Sequence, residues 1–78
     1  MERYFFHLFD DIETRDEEGM VLPDVAAARR HALSVAREMM CDQIRKGRLD
    51  LGHRIEVEDG RGAPVLTLTF AGAVRVEN

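Results

Sequence analysis

Tyr4-Phe5-Phe6-His7-Leu8-Phe9 is the stretch that decides the fold, because it gathers four of the chain's five aromatic residues into six positions. Successive side chains of a β-strand point to opposite faces of its sheet. This period predicts two faces, with Tyr4, Phe6 and Leu8 on one and Phe5, His7 and Phe9 on the other. The rest of the sequence offers one long helix as cover, so the second aromatic face needs another covering group.

The length of the chain is typical of one small domain, and residues 1–78 are predicted to fold as a single unit. A domain of this size buries roughly 60% of the surface of its unfolded chain, so its core is thin. Hydrophobic residues at 45% and charged residues at 33% are typical of a folded globular protein and argue against disorder. Cover from a partner would therefore stabilise this domain.

The N-terminal segment and the cysteine content bear on the cellular location. Met1-Glu2-Arg3 leads directly into the predicted strand, without the basic flank and apolar run of a secretory signal. No apolar segment approaches the ~20 residues that a membrane span needs. Cys41 is the only cysteine, so it has no partner for an intramolecular disulfide. We expect a cytoplasmic protein that does not associate with membranes.

The charges are distributed unevenly along a chain of net charge -4. Residues 10–24 hold seven carboxylates and one arginine, whereas residues 29–54 hold seven basic groups and three acids. Such asymmetry can steer a partner or make two subunits complementary. The overall acidity disfavours non-specific binding to a phosphate backbone.

The first half of the chain predicts a hairpin followed by a long helix. The polar residues 10–19 end in glycine and lead into Met20-Val21-Leu22, which favours a strand returning along the first one. Pro23 and Asp24 then mark a helix start, because proline disfavours helix before it and aspartate caps free N–H groups. A helix is predicted from about residue 25 to residue 46. Its sheet-facing side consists of Ala28, Ala32, Ala36, Met39 and Met40.

The second half predicts another hairpin. Residues 54–58 and residues 65–70 both alternate apolar and polar side chains, and Asp59-Gly60-Arg61-Gly62 between them has turn chemistry. The order β-β-α-β-β predicts an α+β fold, with an antiparallel sheet of three to four strands and the helix on one face. The sequence leaves the order of the strands open.

The outer face of the predicted sheet is the candidate interaction surface. Phe5, His7 and Phe9 share this face with the polar residues Glu56, Glu58, Thr67 and Thr69. We expect the aromatic patch to be covered by a second copy, by another protein or by the chain's own tail, residues 71–76. Base stacking on the aromatic rings is disfavoured because the glutamates would repel phosphate, so nucleic acid is not expected as a partner.

No catalytic, cofactor-binding or metal-binding residue is predicted. The acidic run from Asp10 to Glu18 lacks the register of a calcium loop. The three histidines do not have the spacing of metal ligands, and Cys41 has no identifiable base beside it. We therefore expect that the protein is not an enzyme and has no cofactor.

Several motifs together resemble a known family. They are Arg3-Tyr4-Phe5-Phe6-His7-Leu8, Asp16-Glu17-Glu18-Gly19, Leu22-Pro23-Asp24, Ala28-Arg29, Ala32-Leu33, Ala36-Arg37-Glu38 and the hairpin from Ile55 to Phe70. The family consists of short bacterial proteins, common in alphaproteobacteria and catalogued as a domain of unknown function. The resemblance covers nearly the whole chain and implies no activity or catalytic residue.

A more distant architectural likeness connects residues 6–38 with the N-terminal domain of HicB-type antitoxins. That domain also runs from a strand through an acidic glycine turn to a second strand, a Pro-Asp step and an alanine-rich helix. Here two strands follow the helix and no DNA-binding segment is appended.

The first hypothesis for the function is a self-associating protein-interaction or regulatory domain. An antitoxin-like or nucleic-acid-associated module is the second.

Overall fold

The computed structural model of the chain describes residues 1–77 and has the predicted α+β fold. The elements of this described part are β1 (Glu2–Phe9), β2 (Glu13–Thr14), β3 (Met20–Leu22), α1 (Val25–Arg45), β4 (Arg54–Asp59), β5 (Pro64–Thr69) and α2 (Phe70–Ala73).

All strand pairs in the sheet are antiparallel, in the order β2-β1-β4-β5, with β3 also pairing with β1. β2 pairs with the end of β1 at Leu8 and Phe9, and β3 pairs with its beginning at residues 2–4. Three to four strands were predicted and the sheet has five, because two residues of the expected polar turn form β2. The aromatic strand β1 lies inside the sheet, with β4 on one side and the two short strands on the other.

Helix α1 begins and ends close to the predicted residues. Asp24 caps it, since its Oδ1 accepts the Ala27 N–H at 2.8 Å. At the other end Lys46 is the C-cap, and Gly47 follows with a φ of 85°, the left-handed conformation that glycine adopts without strain. Within residues 1–77 no helix is long and apolar enough to cross a membrane.

The core lies between α1 and the inner face of the sheet. Ala28, Ala32 and Ala36 are fully buried, and their small side chains allow the helix to lie close to the strands. Tyr4 and Phe6 fill the space beneath it, as predicted. The other buried members of this core are Met40, Ile55, Val57, Leu68, Phe70 and Ala73, and Leu8 packs against them from the margin.

The end of the chain turns onto the helical side of the sheet. Phe70, predicted as the last residue of a strand, instead begins α2, because the Thr69 Oγ1 accepts the Gly72 N–H at 3.0 Å and caps this short helix. α2 packs against α1, where the Arg37 Nε donates to the Ala73 carbonyl oxygen at 2.9 Å. Val74 beyond it is exposed. The tail therefore does not provide the cover for the outer aromatic face that was one of the predicted alternatives.

Candidate functional site

The outer face of the sheet carries the three residues predicted as an interaction surface. Cross-strand partners share a face, and the register places Phe5 opposite Glu58 and His7 opposite Glu56. Phe5 and Phe9 are half-buried, whereas His7 is 5% exposed. The predicted faces of β1 are thus confirmed, but the middle residue of the surface is closed off from solvent.

His7 is buried because its ring is held on both sides. The backbone N–H of Asp16 donates to His7 Nδ1 at 3.0 Å, so the ring proton lies on Nε2, which donates to the Glu58 Oε1 at 2.5 Å. His7 therefore connects the loop after β2 to strand β4, and neither nitrogen is free to bind a ligand.

Asp16 holds that loop against β1. Its carboxylate accepts backbone N–H groups from Phe6 at 3.1 Å, Glu18 at 3.2 Å and Gly19 at 3.0 Å. Burial acts to raise the pKa of Asp16, but the hydrogen bonds from Gly19, Phe6 and Glu18 together hold this pKa below its ordinary value. Asp16 thus occupies the gap between β2 and β3, where no strand residue pairs with the Phe6 N–H.

Gly19 completes the same loop. It has a φ of 70°, and a Cβ placed there would lie 2.7 Å from the Tyr4 carbonyl oxygen and 3.0 Å from the Phe5 ring. Only glycine permits this close approach without displacing the backbone of β1. Asp16 and Gly19 therefore hold against β1 an acidic turn whose other residues, from Asp11 to Glu18, are exposed.

A charged side chain covers part of the remaining aromatic surface. The Arg54 guanidinium lies 4.3 Å from the centre of the Phe9 ring, and its Nε donates to Glu56 at 2.7 Å. Arg15 lies 3.4 Å from the Glu58 carboxylate. The second aromatic face is thus shielded in part by the chain's own loop and ion pairs, a source of cover that the sequence analysis did not predict.

A polar groove beside α1, of about 490 Å³, contains His53. Gln43 Nε2 donates to His53 Nδ1 at 2.9 Å, and His53 Nε2 donates to Asp50 at 3.1 Å. The ring is buried and packs edge-on against Phe70. These two bonds give His53 a structural role between α1 and β4. In residues 1–77 no cluster of histidine, cysteine and carboxylate groups is placed to hold a metal ion.

Cys41 lies on the exposed side of α1. It lines an open groove of about 850 Å³ together with Arg30, Arg37 and Arg45. His31, the remaining histidine, lies on the same helix but packs against the Phe6 ring at 4.7 Å. The thiol in this groove therefore has arginines beside it, but no histidine.

The free edge of β5 is the feature that the sequence analysis missed. Within residues 1–77, β4 is the only strand that pairs with β5. All six residues of β5, Pro-Val-Leu-Thr-Leu-Thr, are uncharged, and Thr67 and Thr69 are exposed. An unpaired strand of this length offers a row of free N–H and C=O groups to another chain. The absence of charge was a usable signal, but recognising an edge required the order of the strands.

The opposite edge is of a different kind. It consists of β2 and β3, which are two and three residues long, with the Asp16 loop between them. Short strands and an interrupted ladder leave little room for another strand to pair. The β5 edge is therefore the longer of the two, and a bulge at Val65 interrupts its pairing with β4 near the start of the strand.

The comparisons with known proteins identify the family. No curated protein and no solved structure matches the chain, so the likeness to HicB-type antitoxins gains no support. One family model, whose description is "Domain of unknown function", matches residues 3–71. This range contains the aromatic strand, the Asp16 loop, α1 and the whole of β5. Because the match covers most of the chain, this protein belongs to the family Domain of unknown function (DUF6894), as the resemblance predicted.

Proposed function

We propose that this chain is a non-enzymatic protein-interaction domain, and that it self-associates as a homodimer by adding a strand at the free edge of β5. The observation that carries this proposal is the uncharged six-residue strand at that edge. Natural proteins protect free edges with lysine, with proline inside the strand or with a covering segment. Pro64, the one proline of β5, stands at its beginning next to a bulge at Val65, and both leave the residues from Leu66 to Thr69 available.

A non-enzymatic role is supported by the state of the polar groups that could act as catalysts. His7 and His53 are both buried, and each uses both ring nitrogens in hydrogen bonds to its own chain. A general base needs a free acceptor within reach of a substrate. The exposed Cys41 is consistent with reducing surroundings, and we propose a cytoplasmic location on that basis.

The outer face remains a second candidate for the contact. Phe5 and Phe9 keep part of their rings accessible, and interfaces are enriched in aromatic residues. Arg54 and Glu58 on that face are already paired within the chain, so a partner would have to displace or cover these ion pairs. Since the free edge needs no such rearrangement, we place it first. The glutamates also disfavour nucleic acid as the partner.

Sedimentation equilibrium over a wide range of protein concentration tests the proposal. We expect a monomer that converts to a dimer as the concentration rises. The substitution Phe9→Gln separates the two surfaces: a contact at the β5 edge should leave the dimer intact, whereas a contact on the outer face should weaken it. Circular dichroism would establish that the variant is folded. A wild-type chain that stays monomeric throughout would refute self-association.

A further inference from the structure

We infer that two copies of the chain pair β5 with β5 in antiparallel orientation, in the register that places Thr67 opposite the same residue of the second copy. This inference rests on the proposed function and names its partner and its geometry. The two four-stranded paths would then join into one continuous sheet across a twofold axis at Thr67.

The register follows from the hydrogen bonds between β4 and β5. Directly beyond the two strands and in the same register, the Phe70 N–H donates to the His53 carbonyl oxygen at 2.8 Å, which is one bond of a hydrogen-bonded pair, while the His53 N–H donates to Asp50. Hydrogen-bonded and non-hydrogen-bonded pairs alternate along an antiparallel ladder. Leu68, opposite Ile55, therefore points its backbone groups toward β4, and Thr67, opposite Glu56, points its own away from β4.

An added strand can bond only to residues whose backbone groups point outward. Thr67 lies near the middle of β5. Thr69, two residues later, also points its backbone N–H and C=O groups outward. Pairing Thr67 with itself aligns Thr69 with Val65 of the second copy, the residue that the bulge leaves without a partner on β4. It also places Leu66 opposite Leu68 of the second copy on the inner face, where it extends the apolar layer beneath the helices.

A second copy suits this edge better than an unrelated strand because the edge is complementary to itself. A twofold contact brings the same surface of both subunits together, and residues near the axis face their own copies. A charged residue at such a position would meet a like charge, which destabilises a cross-strand pair. β5 has no charged side chain at any position, and its central residue is a threonine, a residue that pairs favourably with itself across strands.

The expected dimer is weak and reversible. Strands of six residues bury less area than the ~1,200 Å² at the lower end of standard interfaces. We therefore expect a dissociation constant in the micromolar range or above. Weak association is compatible with a domain that exchanges its own copy for the β5-like strand of another protein.

Opposite charges at residue 67 test the inference. Thr67→Lys and Thr67→Glu should each raise the dimer dissociation constant about tenfold or more, because each places like charges across the axis. An equimolar mixture of the two variants should recover dimers as heterodimers, since lysine then faces glutamate. Thr14→Lys on the opposite edge is the matched control and should leave the dimer unchanged, because Thr14 is an exposed threonine of β2.

The outcomes separate the register from the proposed function. A wild-type dimer that neither charge variant weakens would overturn the β5 pairing while self-association stands. A wild-type monomer at all concentrations would overturn both. Failure of the mixture to recover the dimer would overturn the register.

Hydrogen exchange of the wild-type chain tests the same inference without any substitution. The Thr67 amide should exchange more slowly as the protein concentration rises, because it is bonded only in the dimer. A rate independent of concentration, in the range where the dimer forms, would contradict the inference.

Discussion

The two edges of this sheet differ in how the chain pairs their backbone groups. Every terminal strand exposes a row of unpaired N–H and C=O groups. At the β2/β3 edge the chain supplies its own partners. Two short strands flank a loop in which Asp16 accepts the Phe6 N–H, and Gly19 lies against the β1 backbone. At the β5 edge the chain supplies none within residues 1–77.

The difference also shows in the distribution of charge. The loop at the β2/β3 edge contains Arg15, Asp16, Glu17 and Glu18, whereas β5 contains no charged residue. Charge at a free edge discourages another strand from pairing, and its absence permits this. A few residues thus close one side of a sheet to other chains and leave the other side available.

The largest expected effect comes from a substitution of Asp16 in the β2/β3 edge, which is called the closed edge below. Asp16→Ala removes one charged acceptor from three backbone N–H groups, and we expect it to lower the free energy of unfolding by about 3 kcal/mol. Urea denaturation measures this loss. Glu17→Ala is the control, because Glu17 is an exposed neighbour, and it should change the stability by less than about 0.5 kcal/mol. Equal losses in the two variants would show that Asp16 does not hold the edge.

A smaller loss is expected at Gly19. In Gly19→Ala the new Cβ meets the Tyr4 carbonyl oxygen at 2.7 Å, and the residue keeps a φ of 70°. We expect a loss of about 2 kcal/mol, part of it from the left-handed backbone and part from the collision. Gly62→Ala is the matched control, since its φ is 79° and no atom lies within 4 Å of its Cβ. It should lose about 1 kcal/mol, and thermal or urea unfolding of both variants separates the two causes.

Acid should also act on the closed edge. The folded pKa of Asp16 lies below its ordinary value of 3.8, so the stability that it contributes is present above that value and is lost as the pH falls through the folded pKa. Asp59 acts in the same direction, because the N–H groups of Ala63 and Arg61 lower its pKa. The free energy of unfolding should therefore decline below about pH 4.

Replacing the carboxylate separates this effect from general acid sensitivity. Asp16→Asn should flatten the decline, whereas Glu17→Gln should leave it unchanged. Unfolding measured between pH 2 and 6, values chosen to bracket roughly the ordinary aspartate range, checks both variants. β5 has no titratable side chain, so this acid effect belongs to folding and not to strand pairing. An unchanged slope in Asp16→Asn would remove Asp16 from the explanation.

Much of the fold followed from local patterns in the sequence. Asp24, Gly47 and the alanine period determine the ends and the buried face of α1, and each acts within a few residues of itself. The alternation of β1 likewise assigned Tyr4 and Phe6 to the core. These predictions succeeded because capping and periodicity are short-range effects.

The parts that the sequence analysis missed depend on distant contacts. Asp16 accepts a bond from Phe6, ten residues away, and Glu58 bonds to His7 across 51 positions. The spacing of Asp16 and Gly19 is a usable local signal, because aspartate often accepts N–H groups two and three residues later. The free edge of β5 could not be recognised, since local patterns do not give the order of strands in a sheet.

Cysteine cross-linking at the two edges compares them directly. In a chain whose own thiol is removed by Cys41→Ser, one variant carries Thr67→Cys and the other carries Thr14→Cys. Both positions are exposed threonines in strands, one on β5 and one on β2. Residues directly opposite in a hydrogen-bonded antiparallel pair have Cα atoms about 5.5 Å apart, which lies within the range that a disulfide can span.

The rate of covalent dimer formation under mild oxidation, followed on non-reducing gels, is the decisive measurement. If two copies pair along β5 about Thr67, the Thr67→Cys variant forms disulfide-linked dimers rapidly and the Thr14→Cys variant does so only at the slow rate of random collision. Equal rates for the two variants, or faster cross-linking at residue 14, would contradict the assignment of β5 as the edge that receives another chain.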